Sequence, residues 1–254
     1  MALNDPVGTQ VRIDGVSKRY AGEGGPVHAL SDVSFGVEDG EFVCIVGPSG
    51  CGKTTLFRII AGLESPTDGS VRLHGERVEG PTSDMGVVFQ EYHLFPWRTV
   101  RENVAFGLEK GGVPTAERRE RVDSLVDLVG LNGFADSYPK ELSGGMKQRV
   151  AIARALATDP GLLLMDEPFG AVDAQTREML QNELLDIWEQ TEKTVLFVTH
   201  DVEEAVKLAD RIVVMAKEPG RIQDVIEVDL PRPRSRSDAD FGAYYERVLG
   251  LIRE

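Results

Sequence analysis

Cysteine is almost missing from this chain: among 254 residues there are two, Cys44 and Cys51, which argues against both a disulfide scaffold and a cysteine-rich metal cluster. Both read as small space-filling side chains. Positive charge is also short, with 28 Lys and Arg against 42 Asp and Glu, a formal net charge of -14. A surface of that sign repels a phosphodiester backbone and an anionic lipid headgroup, so nucleic acid is not expected as the principal ligand. A chain of this kind working at a membrane should dock on a protein there. No apolar run approaches the length of a membrane span, and Met1-Ala2-Leu3-Asn4-Asp5-Pro6 lacks the basic-then-apolar layout of a signal peptide. The chain is therefore expected in the cytosol, soluble when isolated. Its 41% hydrophobic content suffices for one large α/β domain, or for a core with an inserted lobe.

Against these shortages stands a glycine-rich stretch, Gly47-Pro48-Ser49-Gly50-Cys51-Gly52-Lys53-Thr54-Thr55, which fits the phosphate-binding pattern G-x-x-x-x-G-K-S/T. Its context agrees: Phe42–Val46 before it reads as a buried strand, and Thr55–Gly62 after it as a helix ending in glycine. The glycines permit turns that a Cβ would obstruct, so successive N–H groups can point inward at phosphate oxygens. Lys53 adds a point charge for the β- and γ-phosphates, the helix N-terminus adds its dipole, and the Thr54 hydroxyl suits Mg²⁺.

In chain order, residues 1–10 look frayed, and Val11–Ile13 with Val16–Tyr20 reads as a strand running to an edge. Tyr20 precedes a glycine-rich loop, where its ring could stack on a purine, although a half-buried strand tyrosine is commoner. Val27–Val37 alternates like strand, and Ser70–Glu76 reads as an antiparallel hairpin. Met85–Phe89 is a short apolar strand ending at Gln90, whose amide could reach a metal-bound water or a phosphate. Tyr92–Arg98 packs aromatics and a proline with no period, either as core or as a docking loop. From Thr99 to Ala157 helical period takes over, with Val122, Leu125, Val126 and Val129 on one face. The expected organisation is a core of residues 11–90 and 158–230, a helical subdomain of about 91–157, and a short tail, 231–254. Within that tail the run Pro231–Arg236 reads as solvated.

Three further stretches carry chemistry. Leu142-Ser143-Gly144-Gly145-Met146 opens a helix, which by itself reads first as a helix cap with flexible glycines and second as another anion site. Leu162–Met165 is an apolar strand delivering Asp166 and Glu167 at its C-terminal end, where ligands gather in open α/β sheets. Asp166 would hold Mg²⁺ through water, and Glu167 would polarise the water that attacks a γ-phosphate. The strand Thr194–Val198 leads to His200, a residue type more often structural but here placed to contact a γ-phosphate. Asp201 with Glu204 resembles a capping box, and Asp173 sits in a loop before another helix.

Together these motifs resemble the ATP-binding cassette (ABC) transporter ATPases over about Val11 to Gly220. Residues 47–55 match the Walker A motif, Leu162–Glu167 the Walker B motif with its catalytic glutamate, and Leu142–Gln148 the LSGGQ-type signature, with Met146 departing from the usual glutamine. Gln90 matches the Q-loop, Asp173 the D-loop, His200 the switch histidine and Tyr20 the adenine-stacking aromatic. The resemblance implies a P-loop NTPase (RecA-like) α/β core with a mainly parallel sheet, an N-terminal antiparallel β region and an inserted α-helical subdomain. It implies ATP and Mg²⁺ as ligands, with Thr54, Gln90 and Asp166 toward the metal and Lys53, Glu167 and His200 catalytic. Two copies would pair head to tail, each ATP lying between one chain's phosphate loop and the other's Ser143-Gly144-Gly145. Partners would be two transmembrane permease subunits, met near Tyr92–Arg98 at the cytoplasmic membrane face, and indirectly a substrate-binding protein. The stretches 91–100 and 168–177 are similar to the nitrate, sulfonate and taurine import subfamily, and no long C-terminal regulatory domain is expected. The rival reading is a soluble ABC ATPase of the nucleic-acid or cluster-assembly type.

Overall fold

The computed structural model describes residues 9–22, 25–170 and 172–253. The expected fraying of residues 1–10 lies outside them for residues 1–8 and is corrected for Thr9 and Gln10, which open a strand. Chain order begins with β1 (Thr9–Tyr20), β2 (Val27–Glu38), β3 (Phe42–Val46), α1 (Lys53–Ile60), β4 (Asp68–Leu73) and β5 (Glu76–Arg77). Next come β6 (Met85–Val88), α2 (Val100–Lys110), α3 (Thr115–Leu128), α4 (Gly144–Leu156), β7 (Leu162–Asp166) and α5 (Ala174–Thr191). The last elements are β8 (Thr194–Val198), α6 (Val202–Leu208), β9 (Arg211–Ala216), β10 (Arg221–Glu227) and α7 (Ala239–Arg253). They form two compact units, Met1–Thr82 with Thr194–Glu254, and Ser83–Lys193.

The first unit holds two sheets. In one, the order is β2-β1-β4-β5 and every pairing is antiparallel. This corrects the reading of β1 as a strand running to an edge: both of its sides are hydrogen-bonded, to β2 and to β4. Alternation in β1 puts Val11, Ile13 and Val16 into the core, but it reports only which face is buried and says nothing about the strand's edges. In the other sheet β3 pairs in parallel with both β8 and β9, and β9 pairs antiparallel with β10. All five residues of β3 and all five of β8 are buried, which is why both read as continuous apolar runs and not as alternation.

The tail overturns a second expectation. Arg234 is 5% exposed, and Arg232 donates to Asp210 Oδ1 at 2.7 Å, so the basic run 231–236 is not simply a solvated face. Each guanidinium finds acceptors that lie more than twenty residues upstream, which charge patterning along the chain does not reveal.

In the second unit β6 runs parallel to β7, and α4 packs on β6 and on α2. A complete capping box starts α2: the Thr99 hydroxyl accepts from Glu102 N–H and the Glu102 carboxylate accepts from Thr99 N–H. One turn later, fully buried Asn103 accepts from Phe95 N–H at 2.8 Å and donates to the carbonyls of Phe95, Arg98 and Thr99. The aperiodic aromatic stretch is thereby pinned at its C-terminal half. Arg154 of α4 pins the other half through the carbonyls of Tyr92 and His93. Held this way, Trp97 remains 71% exposed.

Candidate functional site

In the first unit the chain leaves β3 at Val46, turns through residues 47–52 and enters α1 at Lys53. The turn needs glycine at three points, one of them Gly50, whose φ is 81°. Gly52 is the N-cap with φ of 93°, and a Cβ there would lie 2.6 Å from Leu30 Cδ2 and 2.8 Å from the Ala29 carbonyl. Gly47 has the opposite problem: its φ is ordinary, but a Cβ would meet the Met215 carbonyl at 2.6 Å. Neighbouring strands thus hold the loop from behind, while nothing lies within 4 Å of the Cβ position at Gly50.

No side chain caps α1, so its first N–H groups keep the anion-binding capacity of a helix N-terminus. The Lys53 ammonium, 7% exposed, donates to the Gly47 carbonyl at 2.7 Å and to the Pro48 carbonyl at 3.3 Å. Its described partners include no carboxylate, leaving a cation in a cradle of backbone dipoles without a counter-charge. Cys51 lies beside it, and burial pushes its thiol up while the Lys53 charge pulls the other way. A protonated, buried thiol is a spacer and not a nucleophile. Thr54 is exposed and Thr55 half-buried.

Tyr20, 38% exposed at the end of β1, is tied to this helix: its hydroxyl bonds the Thr55 and Glu64 side chains, and burial together with Glu64 raises it. The Lys18 ammonium lies 5.1 Å from its ring centroid. His200 comes from β8, whose Val198 is in register with Ile45 of β3; Thr199 N–H then donates to the Ile45 carbonyl at 3.1 Å. That bond sets exposed His200 beside the strand end from which the phosphate loop springs. The first unit therefore sets residues 47–55 and His200 at the C-terminal ends of adjacent strands β3 and β8, and Tyr20 at the end of β1 in the other sheet.

In the second unit β7 ends at half-buried Asp166, and Glu167 follows with φ of 43°, a left-handed conformation that is uncommon for a residue with a Cβ. Gly170 N–H donates to the Glu167 carbonyl at 3.0 Å, closing a turn anchored by buried Phe169. Gln90 comes to the same turn, its Nε2 lying 3.2 Å from where a Gly170 Cβ would stand. Ser143 is exposed as the N-cap of α4, its Oγ accepting from Met146 N–H at 3.3 Å, so its own proton is available for a ligand. A Cβ on Gly144 would stand 3.2 Å from the Tyr92 hydroxyl, and one on Gly145 would stand 3.1 Å from Thr176 Cγ2. Thr176 also donates to Asp173 at 2.6 Å, and that bond with the Thr176 N–H lowers the Asp173 carboxyl below its ordinary value. Thr176 thus joins the glycine turn to the acid that caps α5. Leu142 is buried beneath the turn, and Met146 borders a cleft of about 310 Å³ shared with Ser143, Gly145, Arg149 and Met179.

A polyphosphate fits these groups, on the uncapped helix, the open space at Gly50 and the buried ammonium without a counter-charge. Thr54 in the first unit offers a hydroxyl, and Gln90 and Asp166 in the second offer an amide oxygen and a carboxylate; each is a hard oxygen donor of the kind Mg²⁺ takes. Among the described residues no group of three His, Cys, Asp or Glu side chains could cage a metal alone.

Pattern reading missed the residues that brace the loop. Gly220 donates to the Ala29 carbonyl and accepts from Ser31 N–H, and a Cβ on it would lie 2.2 Å from the Cys51 carbonyl. Only a lone glycine after Pro219 marks the position in sequence, and that signal is too common to use.

A family model described as ABC transporter matches residues 30–170. An ABC transporter ATP-binding protein of Methanocaldococcus jannaschii, itself uncharacterised, is 52% identical over 250 residues, 98% of this chain and 94% of that protein. An aliphatic sulfonates import ATP-binding protein of Bacillus cereus is 50% identical over 239 residues, 94% of each chain. A nitrate import ATP-binding protein of Synechocystis is 48% identical over 252 residues, 96% and 95% of the two chains. Among solved structures, a dimeric ATP-binding cassette in a post-hydrolysis state with ADP and Pi superimposes with a TM-score of 0.75 at 35% identity, covering 87% of this chain and all of that one.

Proposed function

The chain belongs to the ABC transporter family, and from that premise we propose that it is the ATP-hydrolysing subunit of an importer for a small oxoanion of the sulfonate or nitrate type. The observation that carries this reading is the buried Lys53 ammonium, held by loop carbonyls beside an uncapped helix N-terminus. Entering phosphate oxygens exchange those carbonyls for a charge-assisted partner. Tyr20 takes the adenine face, and the N–H groups of residues 47–55 take the phosphates.

Hydrolysis follows from where charge moves. Water attacks the γ-phosphorus, Glu167 accepts its proton, and the β-oxygen of ADP leaves with negative charge that Lys53 and the loop N–H groups neutralise. His200 holds the γ-phosphate oxygens during the transfer, and Gln90 orients the water. Mg²⁺, when bound through Thr54, Gln90 and Asp166, supplies further charge neutralisation at the phosphates. The exposed Ser143 hydroxyl, with Gly144, Gly145 and Met146 behind it, receives the nucleotide of a second copy paired head to tail, and Asp173 lies at that seam. Residues of about 91–157 act as the helical subdomain and meet two transmembrane permease subunits through Tyr92–Arg98 at the cytoplasmic face, a substrate-binding protein delivering cargo from outside. No described helix is long and apolar enough to cross a membrane.

The test is phosphate release from ATP by the purified chain, followed by copurification of the tagged chain with multi-spanning permease subunits. Hydrolysis with capture of multi-spanning partners is the expected result. Hydrolysis stimulated by DNA, with no membrane partner, would favour the rival soluble ATPase.

A further inference from the structure

Six residues of the tail, Pro231–Arg236, carry three arginines, and the structure turns two of them inward. Arg234 donates to four carbonyls: Val206 at 2.8 Å and Ala209 at 2.5 Å from the end of α6, and Leu230 at 3.0 Å and Val228 at 3.2 Å beyond β10. Arg232 donates to the Leu208 carbonyl at 2.5 Å and to Asp210. A helix C-terminus leaves its last carbonyls without partners and carries the negative dipole end, so two guanidinium groups there satisfy both needs. Burial and the neighbouring Arg232 charge lower Arg234 to about 10, which leaves it cationic at neutral pH.

The opposite end of α6 is bound as closely. Asp201 caps it by accepting from Glu203 N–H at 2.8 Å, and the Glu204 carboxylate accepts the Thr199 hydroxyl at 2.6 Å. That hydroxyl accepts in turn from Asp201 N–H at 3.0 Å, and Arg236 reaches Glu203 at 3.1 Å. His200 sits inside this knot, between Thr199 and Asp201. Any slide of α6 along its axis is passed to His200, whereas the phosphate loop is braced separately by Gly220, Met215 and Leu30.

We propose that Arg232 and Arg234 are positioning residues for His200, clamping the C-terminal end of α6 so that the turn at its N-terminal end presents the histidine to the γ-phosphate. The proposal rests on the role given to His200 above. The planar fork of Arg234 spans acceptors that three donors on a single ammonium nitrogen cannot reach, so lysine does not replace it.

The test compares ATP turnover, ATP affinity and melting temperature for the wild type, R234A, R234K and R232Q, each also combined with H200A. R234A should lower kcat at least tenfold with the ATP dissociation constant within threefold of wild type, and R234K should not rescue it. In the H200A background the same change should lower kcat less than twofold further, because the group it positions is already gone. Equal losses with and without H200A, or a parallel loss of affinity and kcat, would mean a general structural role and overturn the proposal. Should R234A not fold, R232Q carries the same test, with a threefold or larger non-additive loss expected and an unchanged kcat overturning it. If H200A alone turns over ATP at the wild-type rate, the role of His200 fails and takes the proposal with it. If H200A is impaired and folded R234A is not, only the clamp fails.

Discussion

Replacing Gly220 with alanine should damage the phosphate loop from outside it. The new Cβ would stand 2.2 Å from the Cys51 carbonyl oxygen and 2.5 Å from that of Ala29, and both obstacles are backbone. Since Cβ contacts below 3.0 Å essentially do not occur, a segment must move by about 0.8 Å or more. Overpacking of this kind costs roughly 1–3 kcal/mol. For a chain of this size that lowers the melting temperature by about 2–4 °C per kcal/mol. The displacement falls on Cys51, between the two glycines whose backbone forms the cradle, and a shift approaching 1 Å at a reacting centre costs on the order of 10²-fold in rate. Thermal melting by circular dichroism, with ATP affinity and phosphate release on the same samples, reads all three consequences. Gly242→Ala in α7 is the control, because nothing lies within 4 Å of its Cβ position. It should be neutral or more stable by up to about 1 kcal/mol. A G220A protein that melts within about 1 °C of wild type and hydrolyses ATP at the wild-type rate would refute the bracing argument.

Glu167→Gln should retain ATP binding and trap a dimer while turnover falls roughly 10²–10⁴-fold, the usual worth of a positioned general base; near-normal hydrolysis would remove Glu167 from that role. Lys53→Ala should lose at least about tenfold in ATP affinity, since a charge-assisted contact to phosphate is worth about 1.5–3 kcal/mol, and unchanged nucleotide binding in a filter or fluorescence assay would count against the loop. Trp97→Ala should change stability by no more than about 0.5 kcal/mol, as expected for a side chain 71% exposed, yet uncouple ATP use from transport in reconstituted membranes. Undiminished transport would show that Trp97 is not part of the permease contact.

Residues close together in the chain announced themselves. The loop 47–55 was legible because a cradle of N–H groups demands glycines at set intervals between strand and helix, and those intervals are local. The placement of Asp166, Glu167 and His200 at strand exits was legible for a related reason: Leu162–Met165 and Val195–Val198 are short apolar runs, so the polar residues that follow them mark where the strands end. That Asp173 stands in a loop before a helix was legible too, whereas the cap it makes for α5 through the backbone and hydroxyl of Thr176 came from the structure.

Pairings between distant segments left no such mark. That β1 is covered on both sides depends on β4, more than fifty residues later in several pairs, and a strand's own sequence describes its faces, not its edges. Arg234 reads as a surface cation until α6 and the end of β10 converge to offer it four carbonyls. Gly220 matters only because folding brings it against Cys51, 169 positions away, and steric exclusion between two backbones has no signature in either stretch alone. Local chemistry can be spelled out along the chain, whereas distance between remote backbones exists only once the chain has folded.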